Sequence, residues 1–328
     1  MSDDSSTRPT ARVVPKPRRV RFDMPAGTSR QHFVDGDLVM SHFVSTLSAT
    51  FPEGEDFFIR SVREYRDHIS DADLKEAVKG FIAQEATHRH QHRLLNDRLQ
   101  AMGYPTEGID RHVKKLVGRL EKRFSPKMRL AVTAALEHYT ATFAEIILTS
   151  DEAQELIGDT EVRPILLWHA LEECEHKAVA FDVYETVGGS ERTRVWGMRI
   201  ASLLLFSELV IQTTRSLAGD RSAYNPVRLL RSLRAFRHNP LFSPAAIARF
   251  RSYTRAGFHP DDWDSAEILE RWTKELFDAD GGQHGGVLGQ RDQRVAQRGD
   301  GAAEGLRQHH LTQGRAEVQP DRAGRLGL

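Results

Sequence analysis

The stretch from Trp168 to Tyr184 constrains the fold more than any other part of the sequence. It reads WHALEECEHKAVAFDVY, contains no Pro or Gly, and is rich in Ala, Leu, Glu and Lys, so it predicts an α-helix. At about 100° per residue, His169, Glu173 and His176 fall within one narrow stripe. The same side carries apolar residues, so the stripe is expected to face the core: Ile165, Leu166, Val179 and Ala180. Buried imidazoles and carboxylates need partners or a metal ion, which predicts a metal site completed by other helices.

Helical patterns continue along most of the chain, and no segment predicts a β-strand. Apolar residues recur at helical spacing from Asp35, and Pro52 is expected to end this first helix before a second one runs from Glu55 to His68. Further long helices are predicted over residues 73–102, 109–124, 126–150, 164–188 and 192–216, with shorter helices up to residue 276. We therefore predict an all-α protein containing a ferritin-like four-helix bundle with additional C-terminal helices.

Other predicted helices carry acids or imidazoles inside an apolar stripe. Helix 73–102 contains Glu85 and His88, which are neighbours at i, i+3, and His92 lies one turn further on. Glu137 and Glu55 each lie on an otherwise apolar face of their own helix. An acid in such a position is uncommon unless it is paired or binds a metal. These helices therefore supply the expected partners of the first stripe.

The chain order Glu, Glu-x-x-His, Glu, Glu-x-x-His is typical of di-iron and di-manganese carboxylate bundles. Four carboxylates neutralise and bridge two divalent ions, while one imidazole on each ion leaves positions open for substrate. We predict two metal ions, iron being preferred over Mn and Zn, with these ligands: Glu55, Glu85, His88, Glu137, His169, Glu173 and His176. His169 has an alternative role as a core histidine bonded to Glu172 or to backbone, and His92 is expected to support a ligand. The alternative for the whole set is buried ion pairs without metal.

These residues resemble two families. The ligand set, with His169, Glu173 and His176 on one helix, resembles that of the p-aminobenzoate N-oxygenase family. Its members have a ferritin-like fold, bind two irons through three His and four Glu, and use dioxygen to oxidise arylamines. The wider motifs FPEGEDFF, QEATHxxxH, WHxxEExEHKxVAFDVY and GFHP resemble bacterial proteins described as predicted metal-dependent hydrolases, over about residues 35–277.

Three functions follow as expectations. The first is a di-iron enzyme that activates dioxygen to oxidise a small organic substrate, which would enter beside Thr140 and Ala144. No flavin- or nicotinamide-binding motif is visible, so this reaction needs an external electron donor. The alternative is a hydrolase that uses a metal-bound water, with Glu172 as the base. The third is a non-enzymatic metal-binding bundle.

Composition limits the partners and the location. Lys+Arg and Asp+Glu both number 46, so a nucleic-acid partner is not expected. The single cysteine, Cys174, rules out an intrachain disulfide, and no signal peptide is visible, which predicts a cytoplasmic protein. Residues 1–30 are expected to be a disordered basic arm and residues 281–328 a disordered tail rich in Gly, Arg and Gln, which leaves residues 31–280 as the metal-binding domain.

Two segments raise the question of a membrane. The apolar segment 198–212 is short for a span and contains Arg199 and Glu208, so we predict a buried helix. Residues 225–255 combine Arg with Leu, Phe and Pro. They fit an amphipathic helix that covers the bundle, which is the preferred interpretation, or peripheral contact with an acidic membrane surface.

Overall fold

The computed structural model describes residues 12–22, 31–156, 162–278 and 283. Within these ranges the chain is helical, without strands, apart from one isolated bridge between Phe277 and Gln283, which confirms the all-α prediction. The predicted tail, residues 281–328, lies outside the described residues except for Gln283. The α-helices are α1 Leu38–Arg63, α2 Ala72–Ala101, α3 Thr106–Arg123, α4 Pro126–Thr149, α5 Asp151–Leu156, α6 Arg163–His176, α7 Val179–Thr186, α8 Glu191–Ala218, α9 Pro226–Arg237, α10 Pro244–Ser252 and α11 Ala266–Leu276.

Four helices form a closed ring around the core. Helix α1 packs on α2 and α4, and α6 packs on the same two helices. Side-chain oxygens cap the first turns of α1, α2, α4 and α8, because each accepts a hydrogen bond from a backbone amide there: Asp37, Asp71, Ser125 and Ser190. Helices α3 and α8 pack against the outside of α1, and α8 also packs against α4. The ring therefore encloses the inner faces of α1, α2, α4 and α6.

Helix α1 continues through Pro52, so the predicted interruption at this residue was wrong. A proline inside a helix leaves the carbonyl of residue i−4 without its usual donor, which is Ser48 here. The side-chain amide of Asn96, on α2, donates to the Ser48 carbonyl at 3.0 Å. A contact between helices thus satisfies the group that Pro52 frees, and the sequence of α1 alone does not contain this information.

Two other helix predictions need correction. The stretch predicted as one helix over 164–188 forms α6 and α7, separated by a turn at Lys177 and Ala178 directly after His176. Helix α8 spans the segment 198–212 that was expected to be buried, but Leu203 and Val210 are 71% and 65% exposed. Only one face of α8 can pack on α1 and α4, because the bundle lies on one side of this helix.

Part of the expected disordered arm is ordered and lies against the bundle. Residues 12–22 form no helix or strand, and we call them the N-terminal strap. Arg12 pairs with Asp182 at 2.8 Å, and the Lys16 carbonyl accepts from Gln84 at 3.2 Å. Gly80 permits this approach, because a Cβ there would lie 2.1 Å from the Pro15 carbonyl oxygen. Ion pairs and backbone contacts thus hold this part of the arm, while residues 1–11 and 23–30 lie outside the described ranges.

Candidate metal centre

All seven predicted ligands meet inside the helical ring. Helix α1 supplies Glu55, α2 supplies Glu85 and His88, α4 supplies Glu137, and α6 supplies the other three residues. None of the seven is more than 5% exposed. One ligand atom from each of four residues lies within 4.8 Å of the others, and these residues form the two Glu-x-x-His pairs: Glu85, His88, Glu173 and His176. A second group that meets the same distance criterion contains Glu55, His92 and His169.

Glu173 lies at the middle of the cluster. Its Oε1 is 2.8 Å from His169 Nε2, 3.6 Å from His88 Nδ1 and 3.7 Å from His176 Nε2. Glu85 Oε1 lies 3.5 Å from His176 Nε2 and 4.0 Å from His88 Nδ1. Carboxylate oxygens and imidazole nitrogens from both Glu-x-x-His pairs therefore face one small volume.

Many of the inward-facing atoms have no hydrogen-bond partner among the described residues. Eight atoms from six of the seven residues are in this state: both carboxylate oxygens of Glu55 and of Glu85, His88 Nδ1, Glu137 Oε1, Glu173 Oε2 and His176 Nε2. A buried polar atom without a partner costs about 1–3 kcal/mol, and more if it is charged. The donor set is therefore incomplete without a further group at its centre, and oxygen and nitrogen donors suit a metal cation.

In each imidazole, one ring nitrogen faces the centre of the cluster and the other, which we call the outer nitrogen, contacts a neighbouring hydrogen-bond acceptor. Glu172 Oε2 lies 3.0 Å from His88 Nε2, and Glu137 Oε2 lies 3.0 Å from His176 Nδ1. An ionised carboxylate accepts the ring N–H and leaves the inner nitrogen with a free lone pair. The carboxylate of Glu172, which was predicted as a base, thus contacts the outer edge of His88.

His169 is oriented by a chain of hydrogen bonds whose direction is fixed. Ser48 Oγ donates to Asn96 Oδ1 at 2.7 Å, so it accepts from His92 Nδ1 at 3.0 Å. His92 Nε2 is then the acceptor for His169 Nδ1, at 2.9 Å. The inner nitrogen of His169, Nε2, is therefore left unprotonated and faces Glu173. Both ring nitrogens of His92 are thus used in hydrogen bonds, and its predicted role in supporting a metal ligand stays a prediction.

The electrostatics of the cluster favour a bound cation. Burial, with the neighbouring carboxylates, raises the pKa values of Glu55 and Glu85 well above their ordinary range. Burial also raises the pKa of Glu137 to about 7, although His176 opposes the shift. For His176 burial acts against the charged form, but the carboxylates of Glu173 and Glu137 raise its pKa to about 9. A cation among these groups would let the carboxylates ionise together.

The comparison with protein families agrees with this cluster. The family model described as "Predicted metal-dependent hydrolase" matches residues 16–264. The chain belongs to this family. No curated protein and no solved structure matches the chain. The match confirms one of the two sequence resemblances, whereas the resemblance to the N-oxygenase family stays a prediction.

In this member of the predicted metal-dependent hydrolases, the N-terminal strap adds a charge that sequence analysis missed. The side chain of Arg18 is only 7% exposed, and its Nη1 lies 2.8 Å from Glu175 Oε2 and 3.3 Å from Glu172 Oε1. The strap therefore neutralises the carboxylate that holds His88. The basic run around Arg18 was expected to be a solvated arm, because its partners lie more than 150 residues away in the sequence.

An apolar cavity of about 110 Å³ adjoins the cluster. Thr140 and Phe51 lie in its wall, whereas Ala144, the other residue expected at the substrate entrance, does not. The Phe51 ring centroid is 4.6 Å from that of His92 and 5.1 Å from that of His169. Burial opposes ionisation of Glu173, but the charge of His176 lowers its pKa. The Thr140 hydroxyl donates to the backbone carbonyl of Glu137 at 3.1 Å. The cavity thus ends at residues that contact the predicted ligands.

A second cluster of buried histidines and acid lies apart from the first. His32 Nε2 and His42 Nε2 approach the same oxygen of Asp220, at 2.7 and 3.1 Å. The other ring nitrogens contact Arg228 Nη2 at 2.8 Å and Ser216 Oγ at 2.7 Å. Sequence analysis singled out none of these residues, since no helical stripe joins them.

Proposed function

We propose that the chain is a two-metal enzyme with a ferritin-like bundle, in which two ions, iron being favoured, activate dioxygen to oxidise a small organic substrate. The observation that carries the proposal is the set of eight partnerless polar atoms on residues in the order Glu, Glu-x-x-His, Glu, Glu-x-x-His. The ring formed by α1, α2, α6 and α4 supports the ferritin-like assignment.

The residues fit two divalent ions. Glu85 and His88 would hold one ion, Glu173 and His176 the other, and Glu55 and Glu137 would complete the set with His169 as the additional imidazole. Carboxylate oxygen and imidazole nitrogen without thiolate suit iron and manganese, and also zinc. Reduced iron would supply the electrons for dioxygen activation, which requires an external electron donor.

The protein's own residues have three tasks in such a reaction. Glu172 and His92 hold the outer nitrogens of His88 and His169, which keeps the inner lone pairs aimed at the ions. Phe51 and the apolar cavity wall exclude water from the substrate side. The Thr140 hydroxyl, which donates to the Glu137 carbonyl at 3.1 Å, lies in the cavity wall and can accept a hydrogen bond on the face that the substrate would approach.

The family description favours a second candidate, metal-dependent hydrolysis. The ion would lower the pKa of a bound water, which would then act as the nucleophile. Glu172 was predicted as the base, but its carboxylate contacts the outer nitrogen of His88 at 3.0 Å, so here it would orient this ligand. A non-enzymatic metal-binding bundle is the third candidate.

Metal analysis and an oxygen-response experiment separate these candidates. The full chain is purified from iron-supplemented cells, reduced, and followed optically as oxygen is admitted. We expect about two irons per chain and oxidation of both by dioxygen. Tightly bound zinc with ester or amide hydrolysis and no oxygen response would favour the second candidate. Much more than two irons per chain would favour storage, and a chain that binds no metal would refute all three.

A further inference from the structure

We propose that the apolar cavity binds a linear alkyl chain of the substrate, which is therefore an amphiphile whose hydrocarbon chain reaches the metal centre. This inference names the substrate class and rests on the proposed function. The cavity is the space lined by α1, α3, α4 and α8 next to Phe51 and Thr140.

The lining is almost entirely hydrocarbon. Apart from two threonines, one tyrosine and Glu208, every lining residue is Leu, Val, Phe or Gly. The lining follows one face of α1 from Leu47 to Phe58 and one face of α4 from Val132 to Phe143. At 1.5 Å per residue, each of these faces is about 16 Å long. An apolar space bounded by faces of this length suits an extended alkyl chain better than a compact polar metabolite.

The two sides of the cavity differ in polarity. On the inner side Phe51 contacts His92 and His169, and the Thr140 hydroxyl donates to the backbone carbonyl of Glu137 at 3.1 Å. On the side of α3 and α8, Glu208 lies in the wall and pairs with the half-exposed His112 at 3.3 Å. The polar group of an amphiphile can therefore stay near this ion pair and the solvent, while the chain extends toward the metal centre.

Gly54 offers a substitution that fills the cavity without a clash. It lies in the cavity wall, and a Cβ at this position would meet no atom within 4 Å. Gly54→Leu should therefore fold and occupy the space of the alkyl chain. Gly108→Leu is the matched control, because Gly108 is an exposed helical glycine with equally open space and no place in the wall.

The test is calorimetric titration of the full chain with 1-hexanol, 1-heptanol and 1-octanol. We expect binding that tightens about three- to fourfold with each added methylene. Gly54→Leu should weaken 1-octanol binding at least about tenfold by occlusion, while Gly108→Leu should match the unsubstituted protein. Leu116→Phe, which narrows the cavity from α3, should also weaken binding.

The outcomes separate this inference from the proposed function. A chain that binds two metals but not 1-octanol, or Gly54→Leu and Leu116→Phe variants that bind 1-octanol like the unsubstituted protein, would overturn the alkyl-chain assignment alone. A chain that binds 1-octanol in the cavity but holds no metal would refute the proposed function and leave the cavity assignment standing.

A different observation carries a second inference: we propose that the outer faces of α8 and α9 dock on an anionic lipid surface. Large apolar residues are exposed on both helices, with Leu203 71%, Val210 65% and Leu230 67% exposed. Residues 192–260 contain twelve arginines and two acids, and the acids, Glu208 and Asp220, are buried. The exposed charge of this region is therefore entirely basic, which complements an anionic membrane.

Helix α8 is suited to lie on the membrane surface. It is the one helix in the described ranges that is long and apolar enough to cross a membrane by length and composition. However, its Arg194 and Glu208 side chains are buried against the protein, and its inner face packs on α1 and α4. Insertion would break these contacts, whereas surface docking uses only the exposed face.

Vesicle co-sedimentation tests this surface. The full chain should pellet with mixed phosphatidylcholine and phosphatidylglycerol vesicles, and much less with phosphatidylcholine alone. The double variant Leu203→Asp with Leu230→Asp should bind about tenfold more weakly, because each aspartate opposes burial and anionic lipid. Leu94→Asp, at an exposed leucine on α2, is the control and should bind normally. Equal binding of all three proteins, no binding to anionic vesicles, or a stable dimer through this face would overturn the proposal.

Discussion

The protein contains two buried clusters of histidines and acids that look alike in composition and differ in their hydrogen bonds. In the cluster of His32, His42 and Asp220, every ring nitrogen has a partner, and Asp220 accepts from both rings. In the centre between α1, α2, α4 and α6, eight polar atoms have no partner among the described residues. Closeness of imidazoles and carboxylates is thus insufficient to indicate a metal site.

The outer ring nitrogens explain the difference. Arg228 can only donate, so it makes His32 Nδ1 an acceptor and leaves the ring proton on Nε2, where it bonds Asp220. A metal on that Nε2 would require a doubly deprotonated ring. In the other centre the outer nitrogens of His88 and His176 contact carboxylates, and that of His169 donates to His92. The His32 cluster satisfies its own hydrogen bonds, whereas the centre between α1, α2, α4 and α6 leaves donor atoms free for cations.

The largest expected effect is on metal loading. Glu137→Ala should abolish binding of two metals, because it removes a carboxylate of the set and the partner of His176 Nδ1. Metal analysis of the purified variant measures this effect. His90→Ala, at an exposed residue on α2, should leave metal content unchanged. A Glu137→Ala protein with both metals would refute the assignment of this residue.

Asp220→Ala should produce the opposite result, with lower stability and unchanged metal content. The substitution leaves two buried histidines without their shared acceptor, which should lower the free energy of unfolding by about 3 kcal/mol. Urea unfolding followed by circular dichroism measures the change. Loss of metal in a folded Asp220→Ala protein would show that the two clusters are linked or that the second cluster also binds metal.

Glu172→Ala should weaken metal binding without abolishing it. The substitution removes the acceptor of His88 Nε2, and loss of such a supporting group typically costs about 10–100-fold in metal affinity. Competition with a chelator of known affinity provides the measurement. Glu172→Gln keeps an acceptor oxygen and should retain most of the affinity. Equal affinities in all three proteins would exclude the positioning role.

The smallest expected effect is a pH dependence of stability from the His32 cluster. Burial lowers the pKa of His42, against the hydrogen bond and charge of Asp220. As pH falls, His42 therefore takes up a proton in the unfolded chain at a higher pH than in the folded chain. The contribution of neutral His42 to the free energy of unfolding is complete above about pH 6.5 and is lost as pH falls toward the pKa of His42 in the folded state. One proton limits the slope to about 1.4 kcal/mol per pH unit. His42→Asn should remove this contribution in urea titrations between pH 7 and 5, and an unchanged slope would refute it.

The sequence predicted which side chains would meet inside the bundle because their pattern is local. Glu85 with His88, and His169 with Glu173 and His176, are spaced to share a helix face, and the structure brings those faces together. The His32 cluster and the contact of Arg18 with Glu172 involve residues 154 or more positions apart. No periodicity links such residues, so only the packed fold reveals them. The break predicted at Pro52 failed for the same reason, because the compensating Asn96 lies on another helix.

Pro52 connects a backbone irregularity to the protonation of a predicted metal ligand, His169. Its missing N–H leaves the Ser48 carbonyl without a backbone donor, and that carbonyl accepts a hydrogen bond from the Asn96 side-chain amide. The amide is then oriented with its oxygen toward Ser48 Oγ, which sets the direction of every following bond to His92 and His169. A proline four residues beyond Ser48 thus leaves the Asn96 amide as the donor that takes the place of the missing backbone N–H. Replacing it would add a backbone donor to the same carbonyl, which has lone pairs for both.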